Sequence, residues 1–257
     1  MSEVNAPVRS PARSGTAART VGLVAVAIVA IGLLGIQVGL LKPLVGFYLY
    51  ALGALLGGAS ALLLGAFGLV VTRDGQDPSG RQRSLIGGCL GAALVGATLS
   101  AAASGGNAPA INDITTNLQD PPSFAKAGEL EANRGRDMGY PEDFVAQVQK
   151  GYPDLAPLRL DVSQQESFRR ALAAAEKLDW ELTFQDAQAG VFEARSVSRV
   201  FKFVDDIAVR VRPDGQASVI DVRSKSRDGR GDLGANADRI RNFAHAFHDL
   251  PTVAADR

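Results

Sequence analysis

Basic side chains concentrate in the last third of the chain. They are Arg195, Arg199, Lys202, Arg210, Arg212, Arg223, Lys225 and Arg227. Guanidinium groups bind carboxylates and phosphates through paired N–H donors, so this cluster predicts an anion-binding surface on a sheet. The alternative is a solvated face on which the arginines pair with neighbouring acids, namely Glu193, Asp205, Asp206 and Asp221. Exposed pairs of that kind contribute only about 0–1 kcal/mol each.

The stretch 223–240, RSKSRDGRGDLGANADRI, extends the candidate binding site beyond the arginines. The whole candidate set consists of Arg195, Arg199, Arg210, Arg223, Ser224, Arg227, Asp232, Asn236 and Arg239. A simpler structural interpretation also fits. Residues 223–226 would end a strand, the glycines after them would allow unusual backbone angles, and Asp232 and Asn236 would cap a helix.

Carboxylates of the same region support a catalytic alternative. Asp205, Asp206 or Asp232 could act as the acid or base of an envelope hydrolase, with arginines holding the substrate. No residue is assigned as catalytic, because the sequence contains neither a GxSxG nor a GxxxxGK[ST] motif. His245 and His248 lack a third metal ligand in the pattern, so neither a metal nor a cofactor is expected. A non-catalytic binding or structural module is the favoured interpretation.

Hydrophobic periodicity predicts the elements that position these side chains. Ser163 and Glu166 form a capping-box pattern at the start of a helix that continues to residue 178. Alternating apolar residues then predict strands over 180–184, 191–196, 207–212 and 217–224. The PDG sequence at 213–215 predicts a hairpin, and apolar residues at helical spacing predict a last helix over 235–247. The expected fold is a two-layer α+β domain with an antiparallel sheet of about four strands and flanking helices.

One predicted strand separates apolar from charged side chains. Side chains alternate between the two faces of a strand. If Ile207, Val209 and Val211 face the helices, Arg210 and Arg212 must lie on the other face of the sheet. The expected anion site or ion-paired surface therefore belongs to the face away from the helices.

The N-terminal part of the chain has the composition of a membrane segment. Residues 1–103 contain seven Lys or Arg and three Asp or Glu, whereas the remainder contains 20 basic and 24 acidic residues. Uncharged apolar stretches run over 21–41, 44–71 and 85–103. Each can cross a hydrocarbon core of about 30 Å, so the sequence predicts three transmembrane helices. The single cysteine, Cys89, excludes an intramolecular disulfide.

The distribution of basic residues predicts the orientation of these helices. Six arginines lie on one side of the predicted spans, namely Arg9, Arg13, Arg19, Arg73, Arg81 and Arg83. Only Lys42 lies on the other side. Because cytoplasmic loops carry the excess of Lys and Arg, the N-terminus is predicted in the cytoplasm. Three spans then place the C-terminal domain across the inner membrane, in the periplasm of a two-membrane bacterium.

The predicted organisation has four parts. Residues 1–20 form a cytoplasmic tail, 21–103 the transmembrane region, 104–160 a linker rich in Pro and Gly, and 161–257 the soluble domain. Within the linker, PEDFVAQVQK at 141–150 could form one short helix, because Pro and acidic residues are favoured in a first turn. Small residues recur every four positions in the spans, which predicts close helix packing. They are Gly35, Gly39, Gly53, Gly57, Ala61, Gly65, Gly88, Ala92 and Gly96. A third functional hypothesis is therefore an assembly factor that acts through its spans.

Three segments of the soluble part resemble a known family. They are INDITTNLQDPPSF at 111–124, SRVFKFVDDIAVRVRPDG at 198–215 and IDVRSKSRDGRGDLGANADRI at 220–240. These motifs are similar to the DUF1499 family, a domain of unknown function, over about residues 108–247. Asp228 and Gly231 depart from the family pattern. The resemblance implies an envelope-associated domain, often behind membrane spans, and it implies no established activity.

The expected partners follow from these features. The spans should contact membrane lipids, and the arginine-rich face should bind an anionic ligand or an envelope protein. Nucleic acid is not an expected partner, because the soluble part is net acidic and is predicted outside the cytoplasm.

Overall fold

The computed structural model describes residues 13–103, 105–106 and 108–250. Arg9 and most of the predicted cytoplasmic tail lie outside the described residues. The chain divides into two compact units, Met1–Ser104 with Val200–Lys202, and Gly105–Arg199 with Phe203–Arg257. We call the first the helical unit and the second the sheet unit.

The helical unit contains three helices that are long and apolar enough to cross a membrane. They are α1 (Arg13–Gln37), the continuous helix Pro43–Val71, and α4 (Pro78–Ala103). The middle helix consists of α2 (Pro43–Ala51), one π-helical stretch (Leu52–Gly57) and α3 (Gly58–Val71). The prediction of three membrane-spanning helices agrees with these elements, although α1 and α4 each begin about two turns earlier than the apolar stretches do.

Close helix packing is confirmed at some of the predicted small residues. A Cβ atom on Gly65 would lie 2.6 Å from the Cα of Gly88, so α3 and α4 approach each other backbone to backbone. Gly53 packs in the same way against α1. The prediction is wrong for Gly39 and Gly96, since a Cβ on either would meet open space. The small-residue spacing therefore indicated which helices pack but not every residue at the contact.

Within its described residues the sheet unit has a six-stranded antiparallel sheet, three α-helices and two short 3-10 helices (Ala127–Glu129 and Glu131–Asn133), which confirms the predicted α+β class. In chain order the elements are β1 (Asp113–Thr115), α5 (Phe144–Gly151), β2 (Leu158–Leu160), α6 (Gln164–Lys177), β3 (Glu181–Asp186), β4 (Val191–Val197), β5 (Val204–Asp214), β6 (Ala217–Ser226) and α7 (Ala235–His248). The strand order is β1-β6-β5-β4-β3, and β2 also pairs with β6. The four longer strands are the four that the sequence predicted.

The segment expected as a linker differs most from its prediction. Residues 105–160 contribute β1, β2 and α5 to the sheet unit instead of a separate, mostly extended connection. The short helix expected over 141–150 is confirmed as α5, whereas neither strand was predicted. Both short strands pair with β6, at Arg223–Lys225 and at Ser218–Ile220. Pro and Gly are common in this segment because it turns repeatedly, and its few apolar residues, such as Ile111 and Ile114, are buried in the core.

Two local predictions are confirmed only in part. The Ser163 hydroxyl accepts a hydrogen bond from the Glu166 amide at the start of α6, but the Glu166 carboxylate binds Arg169, so half of the capping box forms. The predicted alternation at 180–184 fails because a register shift between Leu182 and Phe184 interrupts β3. As a result Leu182 is exposed.

Helices α6 and α7 pack on one face of the sheet. Ile207, Val209 and Val211 of β5 are fully buried in this core, as predicted. The ring of Trp180 stacks on Phe243 of α7 with ring centroids 5.3 Å apart. This packing fixes α7 over β6 and leaves the charged side chains of β5 and β6 on the opposite face.

Candidate functional site

The face of the sheet away from the helices carries charged side chains that are paired across strands. The strand register places Asp206 opposite Lys225, Ala208 opposite Arg223, and Arg210 opposite Asp221. Opposite residues on neighbouring strands share a face. We call this surface the charged face, and it consists of Asp113, Glu193, Asp206, Arg210, Arg212, Asp221, Arg223 and Lys225.

Residues 116–140, which we call the cover segment, contact the charged face along its length. Asn117 binds Asp221 near one end of the segment. Near the other end, the carbonyls of Met138 and Gly139 accept hydrogen bonds from Arg223. The charged face is therefore largely buried, whereas the sequence had suggested either a ligand site or a solvated surface.

Arg223 is the centre of this arrangement and is only 2% exposed. Its guanidinium forms a two-pronged ion pair with the buried carboxylate of Asp113, at 2.9 Å from Nε and 2.7 Å from Nη2. Its Nη1 donates to the carbonyl of Pro122 in the cover segment. Lys225 also donates to Asp113, at 2.9 Å. Each of the three guanidinium nitrogens of Arg223 donates within the chain, and the side chain is buried, so Arg223 is not open to an external anion.

Two aromatic rings of the cover segment complete the enclosure of Arg223. Its guanidinium carbon lies 4.8 Å from the ring centre of Phe124 and 5.3 Å from that of Tyr140. Both distances fit cation–π contacts. Burial, together with the nearby charge of Asp113, raises the pKa of the Tyr140 hydroxyl well above its ordinary value. This hydroxyl is therefore neutral at physiological pH and is not a candidate base.

Asp221 neutralises the two arginines that the sequence placed on this face. Arg210 and Arg212 both donate to its fully buried carboxylate, at 2.8 and 2.7 Å. The side-chain hydrogen bond with Asp221 raises the pKa of Arg212. Arg210 also forms an ion pair with Asp120 of the cover segment, at 3.0 Å. The predicted arginine–carboxylate pairing thus forms, with a buried acid at its centre.

Two further buried carboxylates hold the cover segment directly. Glu193 accepts hydrogen bonds from three successive backbone amides, those of residues 125–127. Asp206 accepts one from Asn133 at 2.8 Å and forms a two-pronged ion pair with Arg227. The hydrogen bond with Asp206 raises the pKa of Arg227. Each acid therefore ties the cover segment, or a strand end, to the sheet.

A separate polar cluster lies on the helix face, where the strands end near the start of α7. Ser224 donates to the Asn236 carbonyl oxygen at 2.6 Å, and the Asn236 amide donates to Ser226 at 2.9 Å. Arg239 contacts Ser224 and forms a 2.6 Å ion pair with Asp205. This network joins α7 to β6 and β5, and it uses the side chain of Asn236 for packing rather than for the predicted helix cap.

Asp232 is the carboxylate that caps α7. Its two oxygens accept hydrogen bonds from the amides of Gly234 and Asn236, at 2.8 and 2.9 Å. The predicted cap is thus confirmed for this residue. Gly234 adopts a left-handed backbone, with φ of 89°, which lets the chain turn into the helix. Burial raises the pKa of Asp232 from its ordinary value, while these hydrogen bonds lower it.

The candidate site residues are thus distributed over several places and do not converge on one cleft. Arg210, Arg223 and Arg227 lie at the charged face, and Ser224, Asn236, Arg239 and Asp232 lie beside α7. Arg195 forms an exposed pair with Glu181 on β3 and β4. Arg199 is exposed in the connection that follows β4. The arrangement can neutralise charges inside the fold, and two separate pockets each contain a candidate arginine, with Arg239 beside α7 in one and Arg210 beside Pro122 in the other.

Sequence reasoning missed the residues that bury the charged face. Asp113 and Asn133 lie in the segment that was expected to be a linker. One signal could have found Asp113. Arg223 and Lys225 alternate on one face of a predicted strand with no acid opposite them except Asp206, so the face required a counter-charge from elsewhere.

An apolar cavity of about 200 Å³ opens on the helix side of the sheet, away from every candidate residue. Val222, Phe243 and Leu158 are among the residues that line it. Sequence patterns did not indicate it, because it arises from a gap between two short strands.

The fold and these contacts define an α+β protein that has three helices long and apolar enough to cross a membrane. Its sheet is buried on one side by helices and on the other by an ion-paired segment. The family model described as a protein of unknown function, DUF1499, matches residues 113–247. The chain belongs to this family, as the sequence motifs indicated. A comparison with curated proteins finds no match.

Proposed function

We propose that this chain is a membrane-anchored, non-catalytic module of the cell envelope that binds another envelope component. Its three candidate spans support attachment to the inner membrane. The excess of arginine at the N-terminus and in the loop between α3 and α4 supports a cytoplasmic location for both, and hence a periplasmic sheet unit.

The buried ion pairs are the observation that carries the non-catalytic part of this proposal. Asp205 and Asp206 are each bound to an arginine, and Asp232 is bound to two backbone amides. A general acid or base must reach a substrate proton. These three carboxylates are instead used by the fold, so the hydrolase alternative gains no support from their geometry.

The same observation changes the anion hypothesis. An anionic group at Arg210, Arg223 or Arg227 would have to displace an internal carboxylate that is already in contact. We therefore propose that these arginines hold the cover segment in place and that the envelope component binds elsewhere on the module.

Cysteine labelling of intact cells tests the proposed orientation. In a Cys89→Ser background, Gln188→Cys places a thiol in the exposed turn between β3 and β4, and Gln76→Cys places one in the loop between α3 and α4. A membrane-impermeant maleimide applied after outer-membrane permeabilisation should label residue 188 and should label residue 76 only after the inner membrane is opened. The reverse pattern would contradict the proposal.

The assembly-factor alternative retains one supporting observation. Gly96 faces open space on α4, and Cys89 lies seven residues earlier on the same exposed side of that helix. A partner helix could pack closely there. Oxidative cross-linking through the native Cys89 in membranes should trap such a partner, and a Cys89→Ser chain should not.

A further inference from the structure

The edge of the sheet beside β6 is interrupted. Strand β1 pairs with residues 223–225 of β6, and β2 pairs with residues 218–220 of the same strand. Val222 pairs with Val209 of β5 on one side, but on the β1/β2 side it faces no strand. There the Thr116 amide donates to the Val222 carbonyl, and the Thr116 hydroxyl accepts from the Val222 amide, both at 2.9 Å. The backbone groups of Val222 are therefore hydrogen-bonded, although no strand is paired with β6 on this side at that residue.

The cavity of about 200 Å³ lies at this gap and reaches the main core. Its inner wall is formed by Val222, Ile240 and Phe243, which belong to the helix–sheet core. Leu155 and Leu158 form part of its outer wall. An apolar cavity of about 150 Å³ in another protein stays dry and binds benzene. This cavity is larger, so it can admit a hydrocarbon group.

Four polar residues also line the cavity, namely Thr116, Asp154, Arg241 and His245, and two of them pair with each other. Arg241 donates to Asp154 at 2.7 Å and to Asp238 at 2.7 Å. Hydrogen bonds with these acids raise the pKa of Arg241 further above its ordinary value. The rest of the lining is mostly apolar, with Thr116 and His245 as its other polar residues, and such a surface favours a ligand with a hydrocarbon part.

We propose that this cavity binds the end of a linear acyl chain. A narrow hydrocarbon matches both the apolar lining and the limited volume, which is too small for a whole lipid. The inference rests on the proposed function in that it names the class of envelope component which the module binds. Acyl chains of membrane lipids or of free fatty acids share this chemistry, and both are available to a chain attached to a membrane.

The chain contains one tryptophan, which makes the proposal directly testable. Trp180 stacks on Phe243, and Phe243 lines the cavity. Bromine quenches tryptophan fluorescence over short distances, so a bromine at the end of a bound acyl chain should report binding near Trp180, either in this cavity or in the open groove that Trp180 also lines. The full chain in phosphatidylcholine nanodiscs, titrated with 11-bromoundecanoate, should show saturable quenching that unbrominated undecanoate reverses.

Variants decide whether the quenching comes from the cavity. Ala244→Leu and Ala156→Leu fill it from opposite walls, and each should weaken the apparent affinity by at least about tenfold. Ala173→Leu is the matched control, because it places the same side chain in the open groove between α6 and β3 that Trp180 also lines. This control should bind as the unaltered chain does. Circular dichroism of each variant confirms that it is folded.

A second arm distinguishes the two sources of acyl chain. Nanodiscs made with phosphatidylcholine that is brominated near its acyl-chain ends replace the free acid. Quenching that Ala244→Leu removes would indicate a membrane lipid as donor of the chain, and quenching in the free-acid arm alone would indicate a soluble acyl compound.

Other results would overturn the inference. Absence of quenching, equal quenching in all variants, or loss of quenching only in Ala173→Leu would each exclude acyl binding in this cavity. The labelling pattern at residues 188 and 76 is independent of these results. A periplasmic sheet unit without quenching would therefore reject the acyl ligand and leave the proposed anchoring intact.

Discussion

The two faces of the sheet are buried by different means. On the helix face, Ile207, Val209 and Phe243 pack as apolar side chains that carry no specific hydrogen bonds. On the charged face, Arg223 and Asp113 are equally buried, but every donor and acceptor must find its partner. Apolar packing tolerates changes of similar volume, whereas a buried charge that loses its partner is strongly destabilising. Substitutions on the charged face should therefore lower the free energy of unfolding more than substitutions on the helix face do.

Removal of the Arg223 side chain should cause the largest loss of stability. Arg223→Ala leaves Asp113 with Lys225 alone and leaves three carbonyls without their donor. We expect a loss of about 3–5 kcal/mol in the free energy of unfolding. Urea unfolding followed by Trp180 fluorescence measures it for the sheet unit, because the chain has no other tryptophan.

The matched control for that variant is Arg195→Ala. Arg195 pairs with Glu181 on the exposed part of the same sheet, so its removal should cost about 0–1 kcal/mol. Equal effects of the two variants would contradict the difference between the buried and the exposed pair.

Neutralisation of one buried acid should have the next largest effect. In Glu193→Gln, the side chain keeps its shape but loses the charge that binds the amides of residues 125–127. Hydrogen bonds to charged groups contribute about 1.5–3 kcal/mol, so we expect a loss in that range. The same urea titration measures the loss, and Glu181→Gln on the exposed surface serves as the control.

A small deletion on the helix face should cost less. Ile207→Val removes one buried methylene group from the core, for which about 0.5–1.5 kcal/mol is typical. A cost larger than that of Glu193→Gln would reverse the order expected for the two faces. Thermal unfolding of both variants in parallel provides the comparison.

The smallest effect should be a change in how the free energy of unfolding depends on pH. Burial raises the pKa of Asp232 in the folded chain, so the folded state holds its proton more tightly than the unfolded state does. Stability from this group is then greatest at low pH and falls as pH rises from about its ordinary value through the folded pKa. Asp232→Asn should remove that decline, and unfolding curves measured between about pH 3 and pH 7 would show it. An unchanged profile would contradict the assignment.

The sequence predicted the elements with strong periodicity and not the segment that depends on distant partners. The strand around Val209 and the helix around Phe243 follow from alternation and helical spacing, which are local. The cover segment has almost no periodicity, and its conformation is set by contacts with residues such as Glu193 and Arg223, about 70 to 100 positions away. Local patterns cannot report such contacts.

The candidate site shows the same limit. Arg210 and Arg212 were correctly placed on the face opposite the helices, and Asp206 and Asp221 were correctly named as possible partners of arginines. Their burial was not predicted, because it depends on the cover segment. The cap at Asp232 was predictable from its position before α7, whereas the role of Asn236 in joining α7 to β6 needed the packing angle of the helix.

Hydrogen exchange of the cover segment tests the central claim most directly. Mass spectrometry of peptides from residues 116–140 should show slow exchange in the unaltered chain and clearly faster exchange in Arg223→Lys, with β5 little changed. Added phosphate at constant ionic strength should not change the exchange rates of this segment in the unaltered chain. Fast exchange of this segment in the unaltered chain, or marked slowing by phosphate, would show that the arginines of the charged face are available to bind an external anion. Either result would contradict the account.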